Sequence, residues 1–432
     1  MLNRRRGYSL FSLIFILFFS LPHSGSAQSA ADTVILTVPK AEEIFLQKNL
    51  TLLAAHYNID INSALIRQAK VWDNPVLNTD QNIFDGKWFR HTNENGQAYG
   101  QVYLQVMQLI RTAGKIRKQT RMAEDNLSGA EAQFADVMRN LRFTLSTDMN
   151  ELARLQNTAS VYQNELATME SLVRGMDEMY RQGDVSQKEN IRIKALMFSL
   201  QNDYNDNIRR QFDIQKELGI LLQLPDSVWI RSDAATVLPG EQINEMVLAA
   251  VKDTAISSRP DLNMIRAQNQ FQVHNLALQN ALKYPDLNTG VEYDKLNSYV
   301  PNYWGLYISL PLPVFNRNKG NISAAEFAVK QTQLQVDQLS SQVDKEVGTA
   351  WQKLSNATAM LSKSNALLQD NYDTLLKNMV SSYRQRQVGL IEFVDFFDSY
   401  RETRTRQWQL VTDQRNAAAE LNYVANRNII KL

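Results

Sequence analysis

The stretch Trp72-Asp73-Asn74-Pro75-Val76-Leu77-Asn78-Thr79 decides the fold, because a related stretch occurs later as Leu282-Lys283-Tyr284-Pro285-Asp286-Leu287-Asn288-Thr289. The two prolines are 285 − 75 = 210 positions apart in a chain of 432 residues, which is about half its length. Further along, Tyr180-Arg181-Gln182 recurs as Tyr383-Arg384-Gln385. A repeat of this size predicts two halves that pack as pseudo-equivalent units.

The composition excludes several classes of function. The net charge of +1 gives no field that would attract nucleic acid, so no nucleic-acid partner is expected. The chain has no cysteine, which excludes disulfides, thiolate metal sites, cysteine nucleophiles and a lipidated N-terminal cysteine.

Residues 1–27 have the pattern of a cleaved signal peptide. Three arginines at positions 4–6 precede an apolar run from Leu10 to Leu21, and Gly25-Ser26-Ala27 offers small residues for cleavage. The alternative is a membrane anchor, but the run has only about 12 residues and a spanning helix needs roughly 20. We therefore expect export across an inner membrane.

Each half is predicted to contain a helix, two short strands and two long helices. The prolines end the helices that precede the strands, since a residue before proline avoids the helical conformation. Gln101, Tyr103 and Gln105 alternate with valines and a leucine, which is the period of a strand. The first repeat is expected over about 28–240, with strands at about 76–84 and 99–110 and long helices at about 115–181 and 186–223. The second is expected over about 241–432, with strands at about 286–295 and 303–311 and long helices at about 321–384 and 391–428.

The long helices need more than one neighbour. Their apolar residues recur with a mean spacing near 3.5, as in coiled coils, and a helix over 115–181 would be about 100 Å long at 1.5 Å per residue. A long antiparallel rod is one explanation. A ring of paired helices continued across subunits is the other, and it also accounts for a strand hairpin before each helical hairpin.

Four strands cannot close a membrane barrel alone, because about eight is the smallest number that does so. Lipid does not tolerate an open sheet edge, so several chains would have to combine their hairpins. Aromatic residues near the strand ends suit the interfacial girdles of a barrel: Trp88, Tyr99, Tyr103, Tyr303 and Trp304. A soluble hairpin with ordinary aromatic pairs is the alternative.

The chain resembles the TolC-like outer-membrane efflux protein family in its duplication and in the strand hairpin before each pair of long helices. It also shares the segment after the second hairpin, Leu310-Pro311-Leu312-Pro313-Val314-Phe315-Asn316-Arg317. The resemblance implies a mainly α fold with a small β part. It implies a homotrimer with a 12-stranded outer-membrane β-barrel, four strands per chain, continued by a long periplasmic α-helical barrel. Such a channel is not an enzyme and has no cofactor. Its partners are outer-membrane lipid, a periplasmic adaptor (membrane-fusion) protein and an inner-membrane RND-type pump. The segment from Leu36 to Leu50 is most similar to the branch that serves cobalt–zinc–cadmium or copper–silver pumps.

The resemblance also assigns adaptor docking to the ends of both helical hairpins. In the family a Tyr-x-x-Gly turn meets the adaptor, and Tyr180 and Gly183 match it. In the second copy, with Tyr383 and Gly389, Arg386 stands where glycine is usual and Gly389 comes three residues later, so docking is favoured at the first tip. Alternatively, Gly183 only supplies a backbone conformation that other residues disfavour.

Glu392 and Asp395 fall on positions that carry acidic gate residues in relatives. They are three apart, so they share one face of a helix. In a trimer they would form two carboxylate rings that attract cations at the periplasmic gate. The alternative is a solvated acidic face.

We predict no metal site and no catalytic residues. Met176 and Met179 could attract a soft metal, but their place on the apolar stripe favours packing, and the histidines lack metal-ligand spacing. Asp395 and Asp398 could be viewed as an acid–base pair, yet they lie on a long helix with no evident pocket. Two further alternatives remain for function: a periplasmic coiled-coil adaptor or scaffold, and an outer-membrane channel for drugs or exported polypeptides.

Overall fold

The computed structural model describes residues 32–97, 99–234, 237–238, 247–296, 300–367 and 372–432. The predicted signal peptide lies outside these residues. The elements in chain order are β1 (Asp32–Leu36), α1 (Val38–Lys48), α2 (Leu50–Ala69), β2 (Val76–Gln81), β3 (Val102–Ile110), α3 (Lys115–Arg181), α4 (Gln187–Leu222), β4 (Val228–Ser232), α5 (Leu248–Ser258), α6 (Pro260–Leu282), β5 (Leu287–Leu296), β6 (Pro301–Ser309), α7 (Lys319–Leu367), α8 (Tyr372–Arg384) and α9 (Leu390–Ala425).

The two predicted hairpins join into one antiparallel sheet with the strand order β2-β3-β5-β6. The junction between the repeats is the β3–β5 pair, in which Leu104 lies opposite Tyr293. The sheet is shorter on the loop side than the sequence predicts. β2 ends at Gln81 and β3 begins at Val102, because the chain between them turns back in a loop with a bridge between Phe84 and Trp88. β2 and β6 form the two outer edges of the sheet.

A second, two-stranded sheet was not predicted. β1 pairs in parallel with β4, so that Asp32 lies opposite Val228 and Leu36 opposite Ser232. The sequence does not distinguish β1 and β4 from loops, because each has only five residues and the two are separated by nearly half the chain. Ile230 of β4 is 1% exposed and packs in the same core cluster as Phe45 and Leu222.

The predicted break between the first two helices lies at Asn49. Its side chain accepts a hydrogen bond from the Leu52 amide at 2.9 Å and donates one to the Leu221 carbonyl at 2.9 Å. The first bond caps α2, and the second holds the break against α4.

The helix α3 has 67 residues, which corresponds to about 100 Å. It packs against α2, α4, α6 and α9, and α7 packs against α5, α6 and α9. Away from the sheet, the long helices therefore lie side by side in the order α4-α3-α9-α7, with α4 and α7 on the outside. The predicted single helix over 321–384 includes positions 368–371, which lie outside the described residues. None of the helices in the described ranges offers a stretch long and apolar enough to cross a bilayer.

Candidate channel wall, gate and helix tips

The sheet has one apolar face and one polar face. The strand register places on one face a set of apolar side chains that are all exposed: Leu77, Leu104, Val106, Val291, Trp304, Leu306 and Ile308. The other face is polar and includes Asn78, Asp80, Tyr103, Gln105, Glu292, Asp294 and Tyr303. An exposed apolar face backed by a polar one is the arrangement of a barrel wall between lipid and water.

Hydrogen bonds organise the polar face. Glu292 accepts bonds on Oε2 from the Tyr103 hydroxyl and from Gln105 Nε2, both at 2.9 Å. Gln101 donates to Asp294 at 3.0 Å. The strand residues on this face include three carboxylates, from Asp80, Glu292 and Asp294, and neither lysine nor arginine. This face therefore has a negative charge that no side chain on it neutralises.

The aromatic residues predicted for the membrane interface do not share one environment. Trp304 is 73% exposed on the apolar face and packs against Tyr293, with 5.2 Å between ring centroids. Tyr103 and Tyr303 lie on the polar face, because adjacent strand positions alternate between faces. An interface role for these two stays a prediction.

The other two predicted interface aromatics lie in the loop beyond β2. Trp88 packs against Phe84 at 5.1 Å and is 70% exposed. The Arg90 guanidinium lies 4.9 Å above the Tyr99 ring. Their role at an interface stays a prediction.

The duplicated motif connects the sheet to the helices. Asp73, in the first copy, receives two hydrogen bonds of 2.7 Å from Arg111. Asp286, in the second copy, pairs with Lys115 at 2.7 Å. Arg111 and Lys115 flank the turn after β3, so both copies of the motif are fixed to the same turn.

The two helix tips contact each other through an arginine. Gly183 has a left-handed backbone with φ of +81°, and Arg386 of the second tip has φ of +59° although it is not glycine. A left-handed conformation costs a residue with a side chain roughly 1–2 kcal/mol. Arg386 donates a 2.5 Å hydrogen bond to the Asp184 carbonyl of the first tip, which offsets part of that cost.

The tyrosines of the two tips have different environments. Tyr180 is 41% exposed, whereas Tyr383 is 8% exposed and stacks on Phe393 with 4.7 Å between centroids. Burial, and secondarily the charge of Glu189, raises the pKa of Tyr383 to about 12. Most of the Tyr383 side chain therefore packs within its own chain, and its docking role stays a prediction. Gly389 begins α9 in an extended conformation that any residue adopts, with φ of −77°.

The two predicted gate residues lie in the first turns of α9. Glu392 and Asp395 are exposed, while Phe393 and Phe397 on the opposite side of the helix are fully buried. Neither carboxylate has an ion-pair partner within the described part of the chain. The two acids thus point away from the core of their own chain.

Known proteins share the fold of the chain and part of its sequence pattern. The family of outer membrane efflux proteins matches residues 43–215. The chain is similar to this family over most of the first repeat, from α1 to within α4. None of the curated proteins compared with it matches the sequence.

Several solved structures share this fold over most of the chain. CusC is 17% identical with a TM-score of 0.70, and the match covers 90% of this chain and 91% of CusC. The outer membrane channel CmeC of Campylobacter jejuni is 13% identical with a TM-score of 0.72, over 90% of this chain and 86% of CmeC. The outer membrane protein VceC of Vibrio cholerae is 16% identical with a TM-score of 0.72, over 91% of this chain and 97% of VceC.

The structure also contains a charged cluster that the sequence pattern does not reveal. Arg401 of α9 contacts Asp203 of α4 and Asp398 of its own helix, both at 3.1 Å. Glu165 of α3 lies nearby and is 1% exposed, and neither of its carboxylate oxygens has a hydrogen-bond partner among the described residues. Burial raises the pKa of Glu165 to about 8, although the positive charges of Arg401 and Arg404 oppose the shift. Glu165 could have been found by its position, three residues after Tyr162 on the apolar stripe.

No group of three or more metal-ligating side chains comes together in the parts of the chain that the structure describes. Met176 and Met179, for which packing is expected, lie in the apolar cluster at the helix tips, with Met176 4% exposed. Their position is that of packing side chains.

Proposed function

We propose that three copies of the chain form an outer-membrane channel that conducts substrate outward from a periplasmic adaptor and an inner-membrane RND-type pump. The observation that carries the proposal is the four-stranded sheet with one apolar face, one polar face and two open edges. Three such sheets supply twelve strands, and pairing β6 of one copy with β2 of the next would leave no edge unpaired.

The helical part supports the same assembly. The outer helix α4 exposes Ile191, Phe198 and Phe212, which are separated by multiples of seven residues. The outer helix α7 exposes Met360 and Leu367, also seven residues apart. Apolar residues at heptad spacing form the seam of a coiled coil. Because α4 and α7 lie at opposite sides of the four-helix layer, each seam would be covered by the neighbouring copy.

The channel proposal is tested by assembly and conductance. Protein purified in detergent should have the mass of a trimer, and its insertion into planar bilayers should produce discrete conductance steps. A stably folded monomer in detergent would contradict the proposal. Recovery of folded protein only from the soluble periplasmic fraction would favour the alternative of a coiled-coil scaffold.

Cations are the proposed cargo, with metal cations favoured by the similarity of Leu36–Leu50 to the heavy-metal branch. The uncompensated carboxylates of the polar sheet face and the exposed Glu392 and Asp395 support cations over anions. A channel lined by carboxylates concentrates cations and repels anions. An anionic drug or a polypeptide would gain no such attraction.

The cargo proposal predicts a change in ion selectivity. Replacing Glu292 with Gln and Asp294 with Asn should reduce the cation preference measured from the reversal potential in a salt gradient. The matched control removes two exposed acids outside the sheet, by Glu43→Gln and Asp60→Asn. Equal reversal potentials in the sheet variant and the control would argue against cation selection by the sheet.

The helix tips are the proposed docking site for the adaptor. The first tip presents the exposed Tyr180 beside Gly183, and the second contributes Gly389, whereas Tyr383 only supports them from the interior. A photo-crosslinking amino acid at position 180 should capture an adaptor in intact cells. The same amino acid in place of the exposed Tyr57, in α2, is the control, and equal capture at both positions would contradict docking at the tip.

A further inference from the structure

The segment over residues 310–317, which we call the strap, carries the most exposed large apolar side chain of the described residues, Phe315. Leu312 is 73% exposed, Val314 is 59% exposed and Phe315 is 100% exposed. The strap leaves the edge strand β6 and leads to α7, so it lies where the sheet meets the helices. Apolar residues grouped in this way mark a surface that another molecule covers.

The strap is held in place at both ends. At its start Ser309 pairs with Asn288 of β5. At its end Asn318 donates hydrogen bonds to the backbone oxygen and to Oε1 of Gln279, at 2.8 and 2.9 Å. Pro311 and Pro313 restrict the backbone between these points. Phe315 is therefore presented by a backbone with few alternative conformations.

A complementary apolar surface lies at the opposite edge of the sheet. Val71 and Trp72 follow α2 and precede the other edge strand, β2, and they are 57% and 59% exposed. Neighbouring strands of the sheet are antiparallel, so β2 begins at the end of the sheet where β6 finishes. If the edges of two copies pair, the strap of one copy arrives beside Val71 and Trp72 of the next.

We propose that the strap of one copy packs against Val71 and Trp72 of the neighbouring copy and closes the boundary between the sheet and the helices. The inference rests on the proposed trimer and adds a contact that edge pairing alone does not require. The polar residues Asn316 and Arg317 follow Phe315 directly. They would stay at the solvated rim of this contact, whereas burying Phe315 in lipid would bring both to the bilayer.

Cysteine cross-linking tests the contact, because the chain has no cysteine of its own. The double variant Trp72→Cys/Phe315→Cys, treated with a short bismaleimide, should give covalent dimers and trimers on denaturing gels. The matched control is Trp72→Cys/Leu367→Cys, which pairs the same position with an exposed residue of α7 far along the helix and should stay monomeric on such gels. Native mass in detergent is measured for both variants before cross-linking.

The outcomes separate this contact from the trimer itself. A native trimer without cross-links from Phe315→Cys overturns the strap contact and leaves the channel proposal intact. A native monomer overturns both. Labelling of Phe315→Cys by a lipid-dissolved thiol reagent would assign the strap to the membrane and also overturn the contact. As a second measurement, Phe315→Ala should speed trimer dissociation in detergent at least tenfold, and Phe84→Ala in the distant loop should not.

Discussion

The buried carboxyl of Glu165 predicts that the helical part of the protein loses local stability as the pH rises. Glu165 of α3 is 1% exposed, and the charged groups that face it are Arg401, Arg404 and Asp398 of α9 and Asp203 of α4. Burial raises its pKa from 4.5 to about 8. Between pH 4.5 and about 8 the Glu165 carboxyl is protonated in the folded chain and ionised in the unfolded chain, so the free energy of unfolding decreases as the pH rises. The decrease is complete above about pH 8.

The size of the effect follows from the shift in pKa. At 1.36 kcal/mol per pH unit, a change from 4.5 to about 8 corresponds to about 5 kcal/mol, which is an upper value for local opening around Glu165. Amide hydrogen exchange of the peptide containing this residue, corrected for intrinsic exchange rates, reports the free energy of opening. We expect it to fall by several kcal/mol between pH 5 and pH 9 in the wild type and to stay nearly constant in Glu165→Gln.

The control for this prediction is Glu170→Gln, which removes a half-exposed carboxylate from the same helix. Its exchange should follow the wild type at every pH. If the free energy of opening had the same pH dependence in the wild type and in Glu165→Gln, the reasoning would be refuted, because the titrating group would then lie elsewhere. Glu165→Leu should exceed the wild type in stability at pH 9, since it replaces a buried charge by an apolar side chain.

Three more predictions concern the gate, the tips and a buried ion pair. The double variant Glu392→Ala/Asp395→Ala should reduce cation selectivity and block by multivalent cations in single-channel recordings, and unchanged recordings would remove the proposed gate. Arg386→Gly removes the cost of a left-handed side-chain residue but also removes the hydrogen bond to Asp184, so the free energy of unfolding should change by no more than about 1 kcal/mol. The distance distribution between spin labels on the two tips should nevertheless broaden. Arg259, which is 3% exposed, pairs with two carboxylates at 2.5 Å. Arg259→Ala should therefore lower the free energy of unfolding by about 3–5 kcal/mol in chemical denaturation. A loss below about 1 kcal/mol would show that these charges are solvated.

The sequence predicts the elements whose pattern is local. The alternation around Tyr103 indicates a strand with one polar and one apolar face, and the structure places Gln105 and Leu104 on those opposite faces. The repeated prolines locate the hairpins, and the apolar stripe locates the long helix α3. These features depend on spacing within a few residues, which a single sequence displays directly.

The features that the sequence did not reveal depend on contacts between distant residues. Nothing near Asp32 shows that it pairs beside Val228, because parallel strands of five residues have no distinctive pattern. The different exposure of Tyr180 and Tyr383 was also hidden, since both follow the same local motif. Tyr383 is covered by Phe393 of the returning helix, and only the three-dimensional packing brings that ring over it.

The candidate site was predicted in part for the same reason. Glu392 and Asp395 were identified by resemblance, and their exposure follows from the buried phenylalanines between and beside them. The link between the tips was not identified, because it depends on a left-handed Arg386 reaching a carbonyl about 200 positions away. A left-handed arginine has no signature in a single sequence.

The β3–β5 pair has a consequence for how such a chain could have arisen. It places the hairpins of the two repeats next to each other with the same up-and-down order that each hairpin has internally. A half-length precursor with one hairpin could therefore have built the proposed twelve-stranded wall from six separate chains. Duplication and fusion would halve the number of molecules that must meet, and the two copies could then diverge, so that one tip kept its glycine and the other acquired an arginine.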